Sequence, residues 1–166
     1  MCCGTGTIGL TCLKEGVCGR VVGVDISAPA IDDARHNAEL NGYSSEKDSR
    51  VKFVSSRAEH VLGQELRSAE DSSNYIIAVV DPAREGLHQD VVKALRNADG
   101  IQRIVYVSCN PTGSLVKDAG LLCAPATKRY RGLPFKPSSA QPADMFPLTG
   151  HCEMVVTFDR MTAEEC

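Results

Sequence analysis

No two of the eight cysteines in this chain stand at CxxC spacing; they fall at 2, 3, 12, 18, 109, 123, 152 and 166. A zinc or iron–sulfur reading therefore has no ligand framework, and no metal is expected. Small thiols in apolar and glycine-rich surroundings fit a reducing intracellular compartment, with cytosol or nucleus expected ahead of the mitochondrion. No apolar run approaches the length of a membrane span, so no membrane partner is expected. No charged-then-apolar leader opens the sequence, and no internal repeat divides it. Positive charge is also short: 18 Lys and Arg face 21 Asp and Glu, for a net charge of −3. A domain that grips nucleic acid unaided is usually basic, because neutralised phosphates supply much of the affinity. A self-sufficient nucleic-acid binder is thereby disfavoured.

What is present is an ordinary globular composition: 166 residues, 43% hydrophobic and 23% charged, enough for one domain with a core. Apolar runs alternate with helical patterns. Strands are expected at 21–24, 51–54, 75–80, 104–107, 127–133 and 154–158, and helices at 28–40, 58–66, 89–98 and 112–122. The helix at 28–40 carries its own punctuation, with Ser27 as N-cap, Pro29 in the first turn and Gly42 just past the end. Residues 68–74 read as a polar loop, and 134–147, with four prolines, as another loop. Apolar strands separated by helices predict an α/β fold: a mostly parallel sheet, its last strand antiparallel, with helices on both faces. One domain is expected over 1–160, followed by a frayed tail at 161–166. The glycine turn at Gly4 should follow a strand, yet almost nothing precedes it. The first strand is therefore expected to be truncated, and the chain to be a fragment with little activity alone.

Three features could carry chemistry. Gly4, Gly6 and Gly9 form a GxGxxG pattern opening a helix, and Asp25 closes the next strand. Glycines there allow a tight turn and close backbone approach, and the aspartate can accept the hydroxyls of a ribose. That pattern serves dinucleotides and S-adenosylmethionine alike; a bland alternative makes Asp25 a helix-capping residue. Asp81 ends another apolar strand and opens Asp81-Pro82-Ala83-Arg84-Glu85-Gly86, where Arg84 either pairs with Asp81 or faces a ligand. Cys109 follows the strand at 104–107, where a thiolate can attack an electrophilic carbon or a small thiol can simply be core.

The segments Cys2-Cys3-Gly4-Thr5-Gly6-Thr7, Asp81-Pro82-Ala83-Arg84, Val105-Tyr106-Val107-Ser108-Cys109-Asn110-Pro111 and Phe146-Pro147-Leu148-Thr149-Gly150-His151-Cys152-Glu153 stand in a telling order. Together they resemble the RNA (uracil-5-)-methyltransferases, the 5-methyluridine enzymes, and most of all their eukaryotic tRNA branch. The resemblance runs from residue 2 to about residue 160. It implies a Rossmann-like S-adenosylmethionine-dependent methyltransferase fold, S-adenosylmethionine as cofactor, an RNA substrate (a tRNA first) and a monomer. It also implies that Cys109 is the nucleophile, Glu153 the base that removes the C5 proton, and Arg84 a support of the active site. Asp25 and Asp81 fall on cofactor-binding acids, and Gly4, Gly6, Cys2 and Thr7 on the first cofactor turn. Cys2 and Thr7 depart from the aromatic and Asn often found there, and Ala83 from a second proline. The resemblance also implies an upstream cofactor-contacting segment and a separate RNA-binding domain.

Rival readings remain on the residues. An NAD-dependent oxidoreductase shares the glycine turn and Asp25 but leaves 108–111 and 146–153 unexplained. An RNA cytosine-C5 methyltransferase would carry a cysteine where Ala83 stands. A truncated, inactive module that binds S-adenosylmethionine or RNA is the third. His151 is expected to be a packed, hydrogen-bonded histidine. Lys128, Arg129, Arg131 and Lys136, around Tyr130 and Phe135, read as a solvated face, or as a surface touching RNA phosphate and stacking a base.

Overall fold

A computed structural model describes residues 1–43, 50–70 and 75–166. They divide into two compact units, Met1–Val61 and Leu62–Cys166, where one domain was expected over 1–160.

In the first unit, helix α1 (Thr7–Lys14) precedes strand β1 (Val21–Asp25), helix α2 (Ala28–Leu40) and strand β2 (Val51–Ser55). The two strands pair in parallel, from Val21 opposite Val51 to Asp25 opposite Ser55. Alternate residues of β2 and one stripe of each helix build a single apolar cluster: Leu10, Leu13, Ile31, Ala34, Ala38, Val51 and Phe53. Burying each larger member stabilises the unit by about 1.5–3 kcal/mol. Helix α2 ends as its punctuation predicts. Ser27 Oγ accepts from Ala30 N, Pro29 lies in the first turn, and Gly42 takes φ +83° just beyond the last turn. Ahead of α1 the described backbone is not a strand, but Cys3 N donates to Val24 O of β1 at 3.1 Å.

Helix α3 (Ala58–Glu70) carries the chain into the second unit and runs past the expected helix end at residue 66. The expected polar loop at 68–74 is thus helical to Glu70, and its remainder lies outside the described residues. Strand β3 (Ile76–Val80), helix α4 (Gln89–Asn97), strand β4 (Ile101–Ser108), helix α5 (Ser114–Cys123), and strands β5 (Phe135–Ala143) and β6 (Glu153–Arg160) follow. They form a four-stranded sheet of order β3-β4-β6-β5. Strand β3 runs parallel to β4, and β6 is antiparallel to both of its neighbours. Ile101, Ile104, Tyr106, Val92, Leu95, Leu122, Phe135 and Phe158 are sealed from solvent and make up the core of this unit.

Three details differ from the sequence reading. Most of the proline-rich stretch, Phe135–Ala143, is strand β5, and only 134 and 144–147 are irregular as expected. The strand lies at the edge of its sheet, pairing only with β6, and the ladder slips between Pro137 and Ser139. An edge and a bulge are the two places where a residue without an N–H is tolerated in a sheet. Residues 127–133, expected as a strand, are irregular because their backbone is spent elsewhere. Thr127 N donates to Tyr130 O, Arg131 N to Asn97 Oδ1, and Gly132 O accepts from Arg96. The tail at 161–166, expected to fray, is tied back: Met161 N donates to Pro134 O at 2.9 Å, and Glu165 pairs with Lys136 and accepts from Thr162 N.

Candidate active site

In the first unit the glycine turn and the end of β1 form one hydrogen-bonded piece. Cys2, Gly4 and Gly6 all have positive φ, at 53°, 51° and 79°. Gly4 N donates to Asp25 Oδ2 at 2.8 Å, and Ser27 N donates to Asp25 Oδ1 at 2.9 Å. Asp25 therefore holds the turn and the entry to α2. Each of its oxygens keeps a further acceptor site, since a carboxylate offers about four. The three glycines serve different ends. A Cβ on Gly6 would stand 2.8 Å from the Phe53 ring, and one on Gly9 2.7 Å from Val21 Cγ1. Both are packing glycines that let α1 lie close to the strands. At Gly4 nothing lies within 4 Å of that position, so the space beside its backbone is open. Such an open turn, with a half-exposed carboxylate beside it, fits an adenosyl group. Exposed Cys2 and Thr7 flank it in sequence. A hollow of about 320 Å³ nearby is lined by Thr7, Leu10, Thr11, Lys14, Asn37 and Asn41. Gly4 and Asp25 do not line it, and no acid does.

In the second unit four expected residues share one edge of the four-stranded sheet. Asp81 follows the last residue of β3, Arg84 lies in the loop beyond it, Cys109 follows the last residue of β4, and Glu153 opens β6. Because β6 is antiparallel, its first residue comes to the same end as the last residues of β3 and β4. The electrostatics agree. Partial burial pushes the Glu153 carboxyl above the usual glutamate range, and the nearby Asp81 charge adds to the push. Asp81 keeps solvent contact, yet desolvation by the protein around it raises its carboxyl as well. Cys109 is half-buried. Asp81 and Arg84 make no ion pair, so the purely structural pairing weighed for Arg84 is not present; the Arg84 side chain is exposed.

Asn110 joins the two loops, its Nδ2 donating to Arg84 O at 3.1 Å and its backbone N to Ser108 Oγ at 3.1 Å. Asp118 of α5, fully buried, accepts from Leu87 N and from the Tyr106 hydroxyl. The sequence held a signal for it: Leu115, Asp118 and Leu122 fall on one helical face, so the acid sits in an apolar stripe. His151 is exposed, its backbone N donating to Thr149 Oγ1 and its ring meeting Phe146 edge-on at 6.4 Å. Tyr130 and Phe135 are 8% and 1% exposed, so neither can stack a base, which removes that part of the basic-stretch reading. Arg129 donates to Gln89 Oε1 and Lys136 pairs with Glu165. Among the described residues no group of three or more His, Cys, Asp or Glu could hold a metal ion.

The model of the methyltransferase domain family matches residues 1–117. The chain is 42% identical, over 97% of its length, to the mouse tRNA (uracil-5-)-methyltransferase homolog A, and covers 25% of that protein. It is 40% identical, over 96% of its length, to the zebrafish tRNA (uracil-5-)-methyltransferase homolog B, and covers 32% of it. The chain thus spans about a quarter to a third of the curated relatives it matches. Its fold matches a solved complex of M. capricolum TrmK with S-adenosyl-homocysteine at a TM-score of 0.62 and 11% identity, over 95% of this chain and 59% of that one. On the match of that family model over residues 1–117, the chain belongs to the methyltransferase domain family.

Proposed function

We propose that this chain is the catalytic core of an RNA uridine-C5 methyltransferase that uses S-adenosylmethionine, with tRNA as the first substrate to test. The observation that carries the reading is the placement of Cys109 and Glu153 at the same end of two paired strands of the second sheet. The names of the relatives at 40–42% identity support it.

Uracil C5 is a poor nucleophile. Cys109 Sγ, as thiolate, bonds to C6, and the C5–C6 π electrons pass into an enolate that makes C5 nucleophilic. S-adenosylmethionine, when bound, supplies the electrophilic methyl group that C5 takes, its S–CH₃ bond breaking to leave the thioether S-adenosylhomocysteine. Gly4 and Asp25 would hold the cofactor's adenosine part. C5 then carries both methyl and proton. Glu153 takes that proton, the electrons restore the C5–C6 double bond, and Cys109 leaves as thiolate. A carboxylate raised by burial and a neighbouring charge is a stronger base than a free glutamate, which suits this task. The target base must leave its stack to reach the two side chains.

The experiment uses the intact protein and tRNA lacking 5-methyluridine, with nucleosides read by mass spectrometry. Wild type should form 5-methyluridine and Cys109→Ala should form none. Equal product from both would end the reading.

A further inference from the structure

Residues 84, 85 and 87, in the loop after β3, each hang on a side chain from the stretch just beyond Cys109. Asn110 Nδ2 donates to Arg84 O at 3.1 Å, Lys117 Nζ to Glu85 O at 3.3 Å, and Leu87 N donates to Asp118 Oδ2 at 2.6 Å. The same Asp118 oxygen accepts the Tyr106 hydroxyl at 2.8 Å, three residues before Cys109 on β4. Asp118 is wholly sealed from solvent. The packing around it has no slack: a Cβ on Gly86, which sits at φ +84°, would stand 2.5 Å from Asp118 Oδ2 and 2.8 Å from Ser114 Cβ. The second oxygen, Oδ1, has no hydrogen-bond partner, with Lys117 Nζ 3.8 Å away.

A carboxylate is an expensive group to bury, and this one has as polar partners a loop amide, a strand tyrosine and a neighbouring lysine at 3.8 Å. Its hydrogen bonds join the loop bearing Arg84 to the strand bearing Cys109. We infer that Asp118 is a positioning residue for the proposed methyl transfer, locking the Arg84 loop to the Cys109 strand end through Leu87 and Tyr106. The inference rests on the uridine-methylation reading and adds to it a residue that touches no substrate. Reactions of this kind depend on near-attack geometry, where a displacement of about 1 Å costs up to about 100-fold in rate. Asp118 sets such a geometry because one of its donors comes from the strand that leads to Cys109 and the other from the loop that carries Arg84.

Asp118→Ala and Gly86→Ala, made in the intact protein, should each lower kcat up to about 100-fold while KM for S-adenosylmethionine holds. Asp118→Asn should restore most of the rate, because its amide oxygen can accept from both Leu87 N and Tyr106 while its NH₂ takes the unpartnered side. Tyr106→Phe, which keeps the ring and removes one donor, should fall between, and with Gly86→Ala keeps the test open if Asp118→Ala fails to fold. Hydrogen exchange provides a readout independent of methylation: the Leu87 amide should exchange faster in Asp118→Ala than in wild type. Wild-type kcat in Gly86→Ala and Tyr106→Phe overturns the inference, as does an Asn variant as slow as the Ala variant or unchanged exchange at Leu87. An intact wild-type protein that forms no 5-methyluridine, yet shows the exchange difference, overturns the methylation reading and leaves the lock standing.

Discussion

Ser108 and Met154 face each other as the last pair in the β4–β6 ladder, and the next residue outward on each strand is Cys109 and Glu153. The proposed nucleophile and base are therefore held by one antiparallel pairing, although 44 positions separate them in the chain. Their roles separate in time: one group starts the reaction and the other ends it.

Glu153→Gln keeps the thiol and removes the base. Addition of Cys109 and methylation of C5 should proceed, while release slows by about 100- to 10,000-fold. A protein–RNA species that survives denaturation should accumulate, its RNA already methylated, and gel electrophoresis with mass spectrometry would detect it. Cys109→Ala should give neither adduct nor product. Failure of both variants without any adduct would remove Glu153 from the step after methyl transfer.

Release should also report the Asp81–Glu153 coupling through pH. Glu153 must be ionised to act, so the release rate rises with pH through a value above the usual glutamate range. Asp81→Asn, assayed at saturating S-adenosylmethionine, removes one cause of that elevation and should move the limb to lower pH. Stability follows the same sign. Below the ordinary glutamate value both folded and unfolded forms hold the proton and nothing changes. As pH rises from there to the elevated folded value, the unfolded form ionises first and the fold loses stability. Glu153→Gln should flatten that loss in pH-dependent denaturation; an unchanged slope would contradict the assignment.

The parts of this molecule written in local pattern were legible. Apolar runs leading to Asp25, Asp81 and Cys109 are strands with the proposed site residues at their ends, and Ser27, Pro29 and Gly42 bracket α2 as they should. The parts set by distant partners were not. Prolines 137 and 142 read as loop because nothing local says that β5 is an edge strand. Tyr130 and Phe135 read as exposed among basic residues, yet both are buried, which only the sheet's far side determines. Arg96 was invisible as a structural centre because its hydrogen-bond partners are backbone carbonyls 25 or more residues away.

Arg96 offers a test of that last class. It is fully buried on α4, its Nη1 donating to Leu121, Leu122 and Ala124 carbonyls and its Nη2 to Gly132 O. It thereby caps the open carbonyls at the end of α5 from another element. Arg96→Met should destabilise the second unit by about 3 kcal/mol or more in urea denaturation, since several buried acceptors lose a charged donor. Arg96→Lys should recover little, as a single ammonium cannot span the guanidinium's fork. A loss below about 1 kcal/mol for the Met variant would show that other donors replace it.

Gly4 and Gly6 should part company. Gly6→Ala forces a methyl against Phe53 at a positive φ and should cost the first unit about 2–4 kcal/mol. Gly4→Ala meets open space and should cost only the backbone term, about 1–2 kcal/mol. It nonetheless fills the side of the turn proposed for the adenosyl group. Calorimetric titration should find S-adenosylmethionine binding weakened more by Gly4→Ala than its modest shift in melting temperature explains. Unchanged affinity would place the cofactor elsewhere.

The position of β6 bears on how the protein is made. Among the described strands it is the last to leave the ribosome, yet it lies between β4 and β5. Until it emerges, β4 presents one bare edge above an apolar core and β5 has no partner at all. A bare apolar edge is a template for association with other chains. Arg160, at its end, then ties five carbonyls, those of Leu95, Arg96, Ala98, Ile101 and Leu133. Translation therefore passes through a window in which most of the second unit exists but cannot close. A stop codon shortly before Glu153 would leave an aggregation-prone nascent product instead of a shortened enzyme.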